Sequence, residues 1–119
     1  MTLKMNLLVV DDFVEIRQML KSMFGEMFDE TYEAEDGNLG VELYKKHKPD
    51  WVLMDIKMDV MDGITATKLI KKFDKKAKVI IVTLFKDEET RTEARNAGAF
   101  GLVSKDDLSK ISDLIFENI

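Results

Sequence analysis

Cysteine is absent from the 119-residue chain, which excludes disulfide scaffolds and thiolate zinc sites. Histidine occurs once, at His47, so a multi-histidine metal centre is excluded as well. Proline also occurs once, at Pro49, and the 6 glycines are scattered, so no stretch reads as a linker. There is no low-complexity tract and no internal repeat at a period of about 20–50 residues. No apolar run is long enough for a membrane span, and no signal-peptide pattern opens the chain. The expectation is a reducing, aqueous compartment, hence the cytoplasm, with no membrane partner. Positive charge is in deficit: Lys plus Arg is 18 against 23 for Asp plus Glu, a net charge of −5. That balance argues against a nucleic-acid binder working by bulk charge.

What is present fits a single globular domain over residues 1–119. Apolar residues make up 45% and charged residues 34%. A chain of this length can bury ~65–70% of its unfolded surface.

The periodicity of the apolar residues alternates between two forms. Short runs rich in Val, Ile and Leu occur at Met5 to Val10, Trp51 to Met54 and Lys78 to Val82. Such runs suit strands buried on both faces. Gly101 to Ser104 reads as a shorter strand, and Thr31 to Glu35 as a more polar edge strand. Between them lie stretches with helical spacing: Phe13 to Phe28, Asn38 to His47, Asp62 to Phe73 and Asp106 to Asn118. Lys86 to Asn96 has almost no apolar face, and Gly98 follows where a helix C′ glycine is expected. A helix there is weakly anchored and among the first elements to move. The β-α unit therefore occurs five times, which implies an α/β fold with a parallel sheet, helices on both faces and right-handed crossovers.

Ligands in such sheets bind outside the carboxyl ends of the strands. The first strand ends at Asp11 and Asp12, the third at Asp55 and the fourth at Thr83, and Lys105 follows the last. Three carboxylates in one cleft repel one another unless a cation sits among them. Oxygen ligands without His or Cys suit a hard ion, and Mg²⁺ is the natural choice. A lysine can pair with a carboxylate at rest and with a phosphoryl group afterwards, and a threonine hydroxyl can bond a phosphoryl oxygen. The set reads as a magnesium-dependent phosphoryl site with Asp55 as nucleophile.

Several of these residues have plainer readings. Asp12 followed by Glu15 fits a helix N-cap with its partner at N3. Thr83 and Lys105 mean little singly, since threonine is common in strands and most lysines are solvated. Asp55, between Met54 and Ile56, resists a structural reading, because an unpaired buried carboxylate is costly. His47 answers a helix dipole, the 8 methionines fill core, and Lys71-Lys72 and Lys75-Lys76 form a solvated face.

The motifs Leu-Val-Val-Asp-Asp at 8–12, Met-Asp-Ile-Lys-Met-Asp-Val-Met-Asp-Gly at 54–63, Ile-Val-Thr at 81–83 and Gly-Ala-Phe-Gly-Leu-Val-Ser-Lys at 98–105 resemble the receiver domain of the two-component response regulator family. The resemblance runs from Leu7 to about Ile115. It implies a flavodoxin-like five-stranded sheet of order 2-1-3-4-5. It implies that Asp55 accepts a phosphoryl group from a phosphohistidine on a sensor histidine kinase or phosphotransfer protein. Asp12 and Asp55 match Mg²⁺ ligands, Asp11 a ligand acting directly or through water, and the backbone carbonyl of Lys57 a further one. Thr83 matches the hydroxyl that swings to the phosphoryl group, and Lys105 the lysine that pairs with it. The implied response is a shift between two packings of the fourth helix and its flanking segments, read by a downstream protein target or by an output domain outside this sequence. A homodimer formed on phosphorylation is a further partner the resemblance implies.

The chain departs from the family pattern at four places. Asp59 stands where proline is usual, Leu102 where an aromatic is usual, Leu84 where a small residue is usual, and Asp106 where many members carry proline. Leu102, Leu84 and Asp59 keep an alternative open, a receiver-like interaction module that does not use phosphorylation. A turnover phosphohydrolase would need a separate general acid or base for the leaving group, and none is visible. A flavodoxin would need a Ser/Thr/Gly-rich phosphate loop where Asp11-Asp12-Phe13 stands.

Overall fold

The structure is a computed structural model and describes residues 3–119. Five strands, β1 Leu3–Val10, β2 Phe28–Ala34, β3 Trp51–Met54, β4 Val79–Thr83 and β5 Gly101–Ser104, form one sheet. Five helices, α1 Val14–Phe24, α2 Gly37–His47, α3 Gly63–Phe73, α4 Glu88–Ala97 and α5 Ser109–Phe116, connect and close them. The strand order is β2-β1-β3-β4-β5 and every pairing is parallel, as expected.

The apolar runs become strands because alternate residues face opposite layers of helices. Leu8, Val10, Val52, Met54 and Ile81 pack with Val41, Tyr44, Ile64 and Ile70 of α2 and α3. Leu7, Val9, Leu53, Ile80 and Val82 pack on the other face with Leu20 and Phe24 of α1 and Ile111 and Ile115 of α5. Each such side chain contributes ~1.5–3 kcal/mol by leaving water. The helix α4 buries only Ala94 and Ala97, so it carries little of that energy. Its C-cap is Gly98 at φ +92, the left-handed conformation glycine tolerates best.

Several boundaries differ from the periodicity by a few residues, and the edge strand expected at Thr31 to Glu35 runs Phe28–Ala34. The helical stripe expected to run to Phe28 stops at Phe24, a 3-10 turn spans Gly25–Met27, and Phe28 opens β2. Phe28 is buried against the same face of the core as Leu20 and Phe24. Its place in the apolar stripe therefore reflects burial and not helix. The last helix begins at Ser109, since Asp106 and Asp107 are taken by the preceding turn. His47, at the end of α2, stacks on Tyr32 of β2 with ring centroids 3.9 Å apart.

Candidate functional site

The chain direction of a parallel sheet brings all strand ends to one edge, and Asp11, Asp55, Thr83 and Lys105 meet there. Backbone bonds fix the positions: Asp55 N–H donates to the Val10 carbonyl (2.9 Å), Asp11 N–H to the Ala34 carbonyl (3.1 Å), and Lys105 N–H to the Thr83 carbonyl (2.9 Å). Asp11, Asp55 and Thr83 are buried, at 1%, 7% and 1% exposure. Asp12 lies beside them at the cleft surface.

Carboxylate oxygens of Asp11, Asp12 and Asp55 all lie within 4.8 Å of one another. At that spacing each like-charge pair costs on the order of 3 kcal/mol at an effective dielectric near 20. Lys105 offsets part of this. Its Nζ lies 3.2 Å from Asp11 Oδ2 and 3.2 Å from Asp55 Oδ1. Burial, and then the Asp11 charge, push the Asp55 carboxyl above its ordinary range, against the pull of Lys105. Burial, and then Asp11, push Asp12 the same way, with Asp59 adding to it. Burial works against the Lys105 ammonium, but Asp55 and Asp11 outweigh it and hold its pKa above the usual value.

One cation against three carboxylates leaves the cleft short of positive charge. Asp12 Oδ1 is buried and has no hydrogen-bond partner. An orphaned carboxylate oxygen beside two others, with no nitrogen or sulfur donor, fits a hard divalent cation. The capping reading of Asp12 does not hold. The N-cap of α1 is Phe13, and no side chain caps it. Asp11 instead accepts from Phe13 N–H (3.0 Å), which turns the chain into the helix and leaves Asp12 to the cleft.

The surrounding loops are held closely. Gly63 follows the N-cap Asp62, whose side chain accepts from Thr65 N–H (2.8 Å). A Cβ on Gly63 would stand 1.8 Å from the Asp55 carbonyl oxygen, so this approach requires glycine. Between Asp55 and Gly63, Val60 adopts φ +68, strained for a β-branched residue, and Met61 N–H donates to the Asp59 carbonyl (2.7 Å). Lys57, exposed in the same loop, holds its ammonium 4.7 Å from the Phe85 ring centroid. Phe85 N–H donates to Thr83 Oγ1 (3.1 Å), leaving the hydroxyl proton of Thr83 free to be donated elsewhere.

Of the departures, Leu84 is 60% exposed just past β4, and Leu102 packs against the core. Asp106 pairs with Lys86 (2.9 Å), tying the loop after β5 to the loop after β4. Phe100 meets Trp51 edge-on, with centroids 5.1 Å apart, and so faces away from the role of the missing aromatic.

Residue patterns gave no warning of four contacts. Arg17 donates to the Asp11 carbonyl (2.7 Å), and Arg17 and Lys21 pair with Glu33 at 3.1 and 2.9 Å, bracing the entry to α1. The Lys57–Phe85 pair is the fourth. All but the Arg17–Asp11 contact join segments distant in the chain, so no local spacing signals them.

Comparison with known proteins agrees with this geometry. The family model described as the response regulator receiver domain matches residues 7–116. The chain is 44% identical to the chemotaxis protein CheY of Halobacterium salinarum over 98 residues, covering 82% of each. It is 33% identical to sporulation initiation phosphotransferase F of Bacillus subtilis, covering 92% of this chain and 89% of that one. Among solved structures, a CheX-CheY-BeF3-Mg complex from Borrelia burgdorferi superposes with a TM-score of 0.84 at 33% identity, covering 95% of this chain and 87% of that chain. Among the described residues no helix is long and apolar enough to cross a membrane.

Proposed function

We propose, from the premise that the chain belongs to the response regulator receiver family, that Asp55 is the phosphoryl acceptor of a two-component relay. The observation that carries the reading is Lys105, 3.2 Å from both Asp11 and Asp55 in a cleft of three carboxylates.

The donor is a phosphohistidine on a sensor histidine kinase or a phosphotransfer protein. An Asp55 carboxylate oxygen attacks phosphorus in line. The new O–P bond forms as the P–N bond of the donor breaks, and the imidazole leaves with the bonding pair. The acyl phosphate adds roughly −1.5 to −2 charge to the cleft. Lys105 then exchanges a carboxylate partner for a phosphoryl oxygen, and Thr83 donates its free hydroxyl proton to another. Asp12 and Asp55, with Asp11 directly or through water and the Lys57 carbonyl, would hold Mg²⁺, which when bound neutralises charge on the transferring phosphoryl oxygens.

The domain is a regulatory acceptor, not a turnover enzyme, working in the cytoplasm. Its output is a population shift that involves α4 and is read by a partner protein or by a further domain. The thin anchoring of α4, through Ala94 and Ala97, supports that assignment.

The second reading, a phosphorylation-independent module, draws on Leu102, partly buried against the core at the position where the family usually carries an aromatic. Intact-mass measurement after incubation with acetyl phosphate, with and without Mg²⁺, separates the two. A gain of one phosphoryl group that needs Mg²⁺ supports the acceptor. No gain, alongside measurable Mg²⁺ binding, favours the module.

A further inference from the structure

The positive charge of this acidic protein is concentrated at the end of the molecule opposite the carboxylate cleft. Helices in a parallel α/β unit run against their strands, so the C-termini of α2 and α3 lie at the amino edge of the sheet. There α2 ends in Lys45 and Lys46, with Lys48 as its cap. Six more lysines fall between Lys68 and Lys78, in α3 and its connection to β4. Asp50 and Asp74 oppose them within residues 45–50 and 68–78, and the exposed Glu42 stands one turn earlier on α2. Asp50 accepts from Asn6 N–H (2.8 Å), and Asp74 from Tyr44 O–H (2.8 Å) and Lys76 N–H (3.0 Å).

Among the described residues, ion pairs engage Arg17, Lys21, Lys86, Lys105 and Lys110, and none of these nine lysines. Lys71 donates to the Lys75 and Ala77 carbonyls and so finishes α3. The helix C-termini favour some positive charge. They do not account for an apolar groove in the middle of it. Val41, Lys45, Leu69, Lys72 and Phe73 line a groove of about 320 Å³ between α2 and α3. Phe73 is 45% exposed and Leu69 38%. The ammonium groups of Lys45 and Lys48 stand 5.7 and 5.9 Å from the Phe73 ring centroid.

We propose that the α2–α3 groove docks an acidic amphipathic segment of a partner protein. An apolar side chain of the segment seats against Leu69 and Phe73, and its carboxylates meet Lys45, Lys48 and Lys72. This is the helix-in-groove mode of recognition with charge complementarity around an apolar centre. The concave shape favours an inserted side chain over a bilayer or duplex surface. The site is remote from Asp55 and does not depend on phosphorylation.

The test is a fluorescence-anisotropy titration of the full chain with a synthetic helical peptide carrying Glu on one face and Leu and Phe on the other. Binding is expected to weaken as salt rises through the physiological range. It is expected to fall at least ~10-fold in Lys45→Glu/Lys72→Glu, which turns two attractions into repulsions, and in Phe73→Ala. Lys110→Glu, on α5, is expected to leave it unchanged. Amide shifts in α2 and α3, with α4 and β5 silent, place the peptide in the groove. The proposal is overturned by the absence of binding or by equal binding of a peptide lacking Leu and Phe. It is likewise overturned by tighter binding to duplex DNA or to phosphatidylserine vesicles, or by salt-sensitive self-association of the protein in place of peptide binding.

Discussion

Lys105 Nζ stands 3.2 Å from Asp55 Oδ1 and equally far from Asp11 Oδ2, so one ammonium bridges the ends of the first and third strands. Its backbone N–H, bonded to the Thr83 carbonyl, ties the same residue to the end of the fourth. The lysine is thus the one side chain that senses Asp55 and is covalently continuous with β5. A change of charge at Asp55 acts first on this bridge.

Lys105→Ala should leave Mg²⁺ binding within a few-fold of wild type by calorimetric titration, since the carboxylates remain. Without metal it should cost ~1–3 kcal/mol in urea unfolding, because two buried carboxylates lose their cation. Amide spectra taken with acetyl phosphate and Mg²⁺ should show local change at residue 55 without the spread into α4. A wild-type pattern in α4 would show that the lysine has been given the wrong role.

Asp12→Asn should stabilise the metal-free protein. Asp12 and Asp55 titrate above their ordinary values because of burial and the neighbouring charge of Asp11. A carboxyl with a raised folded pKa destabilises the fold when ionised. Stability therefore rises as pH falls through the folded pKa towards the unfolded value, and the penalty is complete above that window. For the partly exposed Asp12 a discounted ~0.5 kcal/mol is expected, or ~2–4 °C in melting midpoint near neutral pH. The gain should vanish on acidification, and Mg²⁺ should stabilise the wild type more than the variant. A lower midpoint for the metal-free variant would contradict this.

Gly63→Ala should be among the most damaging small substitutions. Its Cβ would fall 1.8 Å from the Asp55 carbonyl oxygen, and backbone must move. A loss of ~3 kcal/mol or more in urea unfolding is expected, with impaired labelling of Asp55. Gly25→Ala is the control. It meets nothing nearer than 3.6 Å and has helical φ, so it should be neutral or stabilise by up to ~1 kcal/mol. Equal effects would show that the close approach at Gly63 is not binding on the fold.

The sheet was legible because β1, β3 and β4 are apolar runs ended by Asp11, Asp55 and Thr83, and the strand-end rule then assembled the cleft. Boundaries were legible only where one pattern operated. At Phe28 burial beside α1 mimicked the helical stripe, and the strand start was hidden. At Asp12 a capping spacing matched by sequence was not used, because the helix begins at Val14 and the N-cap position falls on Phe13. The contacts of Lys57 with Phe85 and of Arg17 with Glu33 join remote loops and strands, and no single-segment pattern encodes them. Lys71-Lys72 and Lys75-Lys76 read as a solvated face, since a groove between two helices exists only after they pack.

The central claim is that the phosphoryl group resides on Asp55. It is tested most directly by reducing acetyl-phosphate-treated protein with borohydride, which converts an aspartyl phosphate to homoserine, and locating the change by peptide mass mapping. The account predicts a Mg²⁺-dependent conversion at Asp55 alone, absent from Asp55→Asn. Conversion at another aspartate, or labelling that survives unchanged in Asp55→Asn, would contradict it.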